Sequence, residues 1–303
     1  MSEGREDHGG VARQLIDALA QEGRFVDDGA FTLDPSKARE KLRAYQLVNA
    51  HAYILLLVES AWIAKASAID ISCGRVSVAE FMGVSLTRAQ LENVFTSVFL
   101  DTAALTDTAL AAARIQQLLG IAANAALSLG PEQIEIENVD AKGRLNRMTI
   151  TADGSCECVT IGEGSPGRTR FVVTSTRGDD RQEREVELIR ERCRYASFAV
   201  NLYGQRMSHG PRRALLGLRT ERLRLDGATI GLAGRRPDSE PGKLLLVTRG
   251  VLSETITLEH AYKGFLAVVD VDLRKDLSQR GVLRGEAFDE VMAVVMRADK
   301  LIY

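Results

Sequence analysis

The chain has 303 residues, enough for one large or two modest domains, with 45% hydrophobic and 26% charged residues as in ordinary globular proteins. That composition excludes intrinsic disorder, and a formal net charge of -2 excludes a global field drawing in nucleic acid or anionic lipid. Only a local charge imbalance could recruit a polyanion.

The opening MSEGREDHGG is polar, with no apolar core after a basic start, and predicts no signal peptide. Val11, Leu15, Ile16 and Leu19 recur at helical spacing, so a short amphipathic helix is expected over residues 11–22. Phe31 and Leu33 read as extended. Asp34 before Pro35 suits a helix start, because the carboxylate caps free amides and proline tolerates the first turn, and a helix through about Val48 follows. A strongly apolar helix is expected from about Ala50 to Ala66, interrupted by Glu59 and Lys65 and too short for a bilayer, which needs about 20 apolar residues.

IDISCGRVSVAEF reads as a hairpin broken at Cys73-Gly74. Thr87 and Gln90 have capping-box spacing and open a helix through about Phe99. An alanine-rich helix is expected over residues 105–129, followed by four antiparallel strands in IEIENV, RMTITAD, CECVTIG and TRFVVTS. Beyond the polar stretch STRGDDRQ come a helix over about 181–195, several strands, and a last helix from about Glu286 to Lys300. This order predicts an α+β sandwich with helices on one face of a sheet, in units 1–178 and 179–303.

Cys73, Cys156, Cys158 and Cys193 lie in separate segments and the four histidines are scattered singly, so no metal site is expected. Buried reduced thiols and a cytoplasmic location are expected instead. Arg181 to Arg224 holds 11 arginines against five glutamates. Glu183, Glu187 and Arg190 sit at helical spacing and could pair. Arg212, Arg213, Arg219, Arg222 and Arg224 are less balanced and could meet phosphates. No aromatics interleave them, so nucleic-acid binding is not the favoured reading.

LVESAWIAKASAIDI, Leu57 to Ile71, resembles the MutL stretch of the GHKL proteins, which include type II topoisomerases, histidine kinases and the ninety-kilodalton heat-shock chaperones. The resemblance implies a Bergerat-like α/β sandwich, followed by a smaller transducer-like α/β domain. In the family pattern a glutamate activates water, and an asparagine four residues on helps hold magnesium. Here those positions fall on Leu56 and Ser60. Leucine cannot accept a proton, and serine offers one neutral oxygen. A frame shift that used Glu59 as the base would put Ile63 at the metal position.

The family's Asp-x-Gly-x-Gly, whose aspartate binds the adenine amino group, corresponds to EFMGV with Gly83 as first glycine, which leaves Glu80, Phe81 or Met82 near the aspartate. LLGIAANAALSLG occupies the place of the ATP lid, with Gly120 and Asn124 as its remaining marks. Gly167-Arg168-Thr169 resembles the strand closing the adenine pocket, Thr169 being the matching residue. GFLAVVDVDLRKDLSQ resembles the heat-shock chaperones' middle-domain loop, but Leu266 stands where an arginine would reach the γ-phosphate.

The resemblance implies a heat-shock-chaperone-like scaffold that does not hydrolyse ATP, with no catalytic residue, a protein client and a homodimer. Ser60, Glu80, Met82, Gly83, Gly120, Asn124 and Thr169 would line whatever remains of the pocket, and no cofactor is expected unless that pocket still takes ATP and magnesium. Two other readings stand beside it: an ATP-gated switch using Glu59 or Glu80, and a nucleic-acid-associated module using Arg181 to Arg224.

Overall fold

The computed structural model describes residues 24–25, 31–32, 49–99, 107–176, 179–237, 240–276 and 281–302. The helices expected over 11–22 and up to Val48 lie outside the described residues. Arg24–Phe25 (β1) and Phe31–Thr32 (β2) form a small antiparallel pair.

A 3-10 turn, Ala50–Ala52, leads into helix α1, Tyr53–Ile63. Ten of its eleven residues are buried, Glu59 and Ser60 among them. A helix apolar on nearly all sides is stable only inside a molecule. It ends in a Schellman arrangement: Ala66 N–H donates to Ala61 O and Lys65 N–H to Trp62 O, with Lys65 at a φ of 55°. The chain then enters β3, Ala68–Ser72, and turns back as β4, Val76–Met82.

Thr87 caps α2, Arg88–Glu92, in a reciprocal capping box with Gln90. A 3-10 turn, Thr96–Phe99, takes the place of a longer helix. Helix α3, Asp107–Leu127, packs along α1 through its alanine-rich face. Strands β5 (Gln133–Val139), β6 (Arg144–Thr151), β7 (Cys156–Glu163) and β8 (Arg168–Thr174) follow. Helix α4, Asp179–Arg192, precedes β9, Ala199–Leu202, and β10, Gln205–Arg206. The eight strands join in the order β10-β9-β3-β4-β8-β5-β6-β7, with only β9 and β3 parallel.

β9 and α4 both follow residue 178, yet Ile189, Cys193, Val200 and Leu202 belong to the same buried core as α1 and α3. Arg181 and Glu185 are the reason α4 docks there. Glu185 accepts from Tyr53 Oη and Ser77 Oγ, both at 2.7 Å, and Arg181 donates to Gly74 O and pairs with Glu185 at 3.4 Å. Buried charges need such partners.

A second sheet has the order β11-β12-β15-β13-β14. Its strands are β11 (Thr220–Leu225), β12 (Ala228–Arg235), β13 (Gly242–Thr248), β14 (Val251–Leu258) and β15 (Phe265–Val271). Helix α5, Glu286–Ile302, covers one face through Val291, Val294, Val295 and Ala298, which share a core with Leu223, Ala233, Ala267 and Val269. The 3-10 turn Pro211–Leu215 lies on the other face, where a Cβ on Gly234 would come within 3.3 Å of Leu215. No helix among the described residues is long and apolar enough to cross a membrane.

Candidate functional site

The end of α1, the end of β4 and the start of β8 converge, and three glycine-dependent contacts show how closely. A Cβ on Gly83, whose φ is 152°, would lie 2.3 Å from Ala64 O. Gly83 N–H donates to Gly167 O at 3.0 Å, and a Cβ on Gly167 would sit 3.0 Å from Gly83 O. Backbone packed this tightly admits no side chain at either position.

Strand alternation sorts the residues around this junction onto two faces. Phe81 is buried and pairs across the ladder with Thr169, so both belong to the helix-covered face. Glu80 lies on the opposite face, held by Arg168 through two hydrogen bonds of 2.9 and 2.8 Å. The Arg168 guanidinium keeps the Glu80 carboxyl below the usual carboxylate range. Met82 is exposed. On α1, Leu56 is buried, and the Ser60 hydroxyl donates to Leu56 O at 2.8 Å. Gly120 and Asn124 are buried within the continuous helix α3, not in a loop.

Asn138 organises the junction, and the sequence reading missed it. Its Oδ1 accepts from Leu86 N–H at 2.6 Å, while its Nδ2 donates to Val84 O at 3.0 Å and to Thr169 Oγ1 at 2.8 Å. One buried amide therefore fastens the loop after β4 to β8 and occupies the Thr169 hydroxyl. A signal was present in the sequence: Ile134, Ile136 and Asn138 share one strand face, and the third is polar where the others are core.

Glu59 points elsewhere. Its Oε2 lies 3.1 Å from Arg249 Nη1, and its Oε1 takes the Lys275 ammonium. The three side chains are 1%, 8% and 3% exposed. Arg249 sits in the β13–β14 turn at a φ of 54°, a strained conformation for a side-chain-bearing residue. From there it also donates to Asp272 Oδ1 at 2.7 Å and Leu273 O at 3.0 Å. Arg114 of α3 grips Asp272 with two bonds of 2.6 Å. Asp270 accepts from Ser197 N–H and Gly250 N–H at 2.9 Å each, and Arg192 donates to Leu252 O. The two sheets are thus joined by a chain of charges, buried at Glu59, Arg249 and Lys275 and reaching solvent at Asp272, that runs from α1 and α3 into the second sheet's loops. No short-range pattern marks Lys275 or Asp272 for this role.

Leu266 is buried in β15, opposite Gly234, on the sheet face that carries the Pro211–Leu215 turn. Arg181 is core, whereas Arg212, Arg213, Arg219, Arg222 and Arg224 are exposed. The arginine-rich stretch is therefore divided between structure and surface. Among the described residues no cluster of His, Cys, Asp and Glu has metal-binding geometry.

No protein-family model matches the sequence. Curated proteins provide no match either. Among solved structures the fold has counterparts. The B-subunit of the DNA gyrase from Myxococcus xanthus superposes with a TM-score of 0.57 at 13% identity, over 89% of this chain and 95% of that one. A likeness at this identity concerns the backbone, and on that ground the chain has a GHKL-type α+β fold.

Proposed function

We propose that this GHKL-fold chain is a scaffold that does not hydrolyse ATP and works by binding other proteins, as a heat-shock-chaperone-like factor would. The observation that carries the reading is the fate of Glu59, the carboxylate nearest the family's water-activating position: it is buried against Arg249 and Lys275. A general base must reach the proton it removes. Leu56, at the position itself, has no group to do so.

The other residues that the family assigns to ATP and magnesium do not suit them either. Ser60 spends its hydroxyl proton on the Leu56 carbonyl, and the Thr169 hydroxyl accepts from Asn138. Phe81 offers the adenine amino group no acceptor, and Leu266 no charge to a phosphate. An ATP-gated switch based on Glu59 or Glu80 finds both carboxylates engaged in ion pairs. A protein client, a homodimer and a cytoplasmic setting belong to the same reading, by analogy with the family.

Steady-state phosphate release from purified protein with Mg-ATP tests it. Release at the level of the Glu59→Gln variant and of buffer is expected. Turnover that disappears on replacing Glu59 or Glu80 would overturn the scaffold reading.

A further inference from the structure

Residues 211–225, PRRALLGLRTERLRL, contain five arginines, one glutamate and no aromatic side chain. All five arginines are exposed, and none forms an ion pair among the described residues. Their placement separates them from that glutamate. Leu223 faces the core beneath α5, so its neighbour Arg222 lies on the opposite face of β11. Glu221 pairs with Ala233, a core residue, and lies on the α5 side. A register shift between Leu223 and Arg224 keeps Arg224 exposed while Leu225 returns to the core. The turn carrying Arg212 and Arg213 packs on that same opposite face, beside Gly234. Arg219 leads directly into the strand.

β11 ends the sheet order, with β12 as its one partner, and outside that ladder residues 220–225 make no backbone hydrogen bond among the described residues. An edge strand presents donors and acceptors at strand spacing, and a further extended chain can add to it.

We propose that the β11 edge and its arginine face form a docking surface for an extended, acidic segment of a partner protein. The segment would pair its backbone with β11 and set alternate carboxylates against Arg222 and Arg224, with Arg212, Arg213 and Arg219 adding to the field. Arginine is suited to this because its planar fork meets a carboxylate through two bonds. A nucleic acid would find charge here but no ring to stack a base on and no use for a strand edge. The inference deepens the scaffold reading and rests on it.

The test is fluorescence anisotropy with a labelled peptide of alternating Glu and Val, about ten residues long so as to span a strand of this size. A Lys/Val peptide of equal length and a short DNA duplex serve as competitors. Binding of the acidic peptide is expected to weaken at least about tenfold in R222E/R224E and on raising salt past a few hundred millimolar. It should weaken by less in the milder R222Q/R224Q, with circular dichroism unchanged in both. Slower hydrogen exchange at residues 220–225 in the complex is expected as well. Indifference of the peptide to both variants, or tighter binding of the duplex than of the acidic peptide, overturns the proposal. Phosphate release is a separate measurement, so loss of the docking surface and loss of the scaffold reading are distinguishable.

Discussion

Glu59 lies three residues after Leu56 and one before Ser60 on α1, and that single step is about 100° of helical rotation away from the Ser60 side. That rotation takes its carboxylate out of any pocket beside Ser60 and into the joint with the second sheet. Breaking a buried pair by neutralising one partner leaves an uncompensated charge. Glu59→Gln is therefore expected to lower the unfolding free energy by about 3–5 kcal/mol, measured by urea titration. The exposed Arg88–Glu92 pair on α2 is the contrast: its side chains are 52% and 44% exposed, and Arg88→Ala should leave the unfolding free energy nearly unchanged. A Glu59 variant as mild as that one would contradict the buried joint. Gly83 is the second sensitive residue. A methyl group there meets Ala64 O at 2.3 Å in a backbone region that side chains avoid. Gly83→Ala should cost on the order of 3 kcal/mol, with loss of the tight contact between the ends of α1 and β4.

At the scale of elements, the loop after β15 and the β13–β14 turn hold the two sheets together, and Asp272 gives that contact a pH signature. Burial pushes the Asp272 carboxyl up, but its bonds to Arg114 and Arg249 outweigh burial and hold it at about 2, below the usual carboxylate range. A folded-state value below the unfolded one adds stability at higher pH, and that stability is lost as pH falls through the folded value. The melting temperature of the native protein should thus fall more steeply between about pH 4 and pH 2 than that of Asp272→Asn. Parallel curves would remove Asp272 from the joint. The side chain is 37% exposed, so solvent screens part of the effect.

Elements with a local cause were legible in the sequence. The capping box at Thr87, the hairpin around Cys73-Gly74 and the alternation in β5 to β8 each follow from a few neighbouring residues. The helix expected through Phe99 stops at Glu92 because the chain tightens into a 3-10 turn. The site was legible only where a family pattern could be laid on the chain, as at Leu56 and Ser60. Arg249, Asp272 and Lys275 act on residues far away in sequence, and their partners become visible only in three dimensions.

In the whole molecule, the side chains where α1, β4 and β8 meet and where the two sheets join are committed to one another. Asn138 and Glu59 are the two commitments that matter most, one closing the loop after β4 and the other closing the joint between sheets. Isothermal titration of the purified protein with ATP, with and without magnesium, tests this most directly. No heat and no shift in melting temperature is the expected result, since a ligand that binds only the folded state must stabilise it. Binding in the micromolar range, weakened by replacing Ser60 or Thr169, would contradict it and return the chain to the nucleotide-binding proteins.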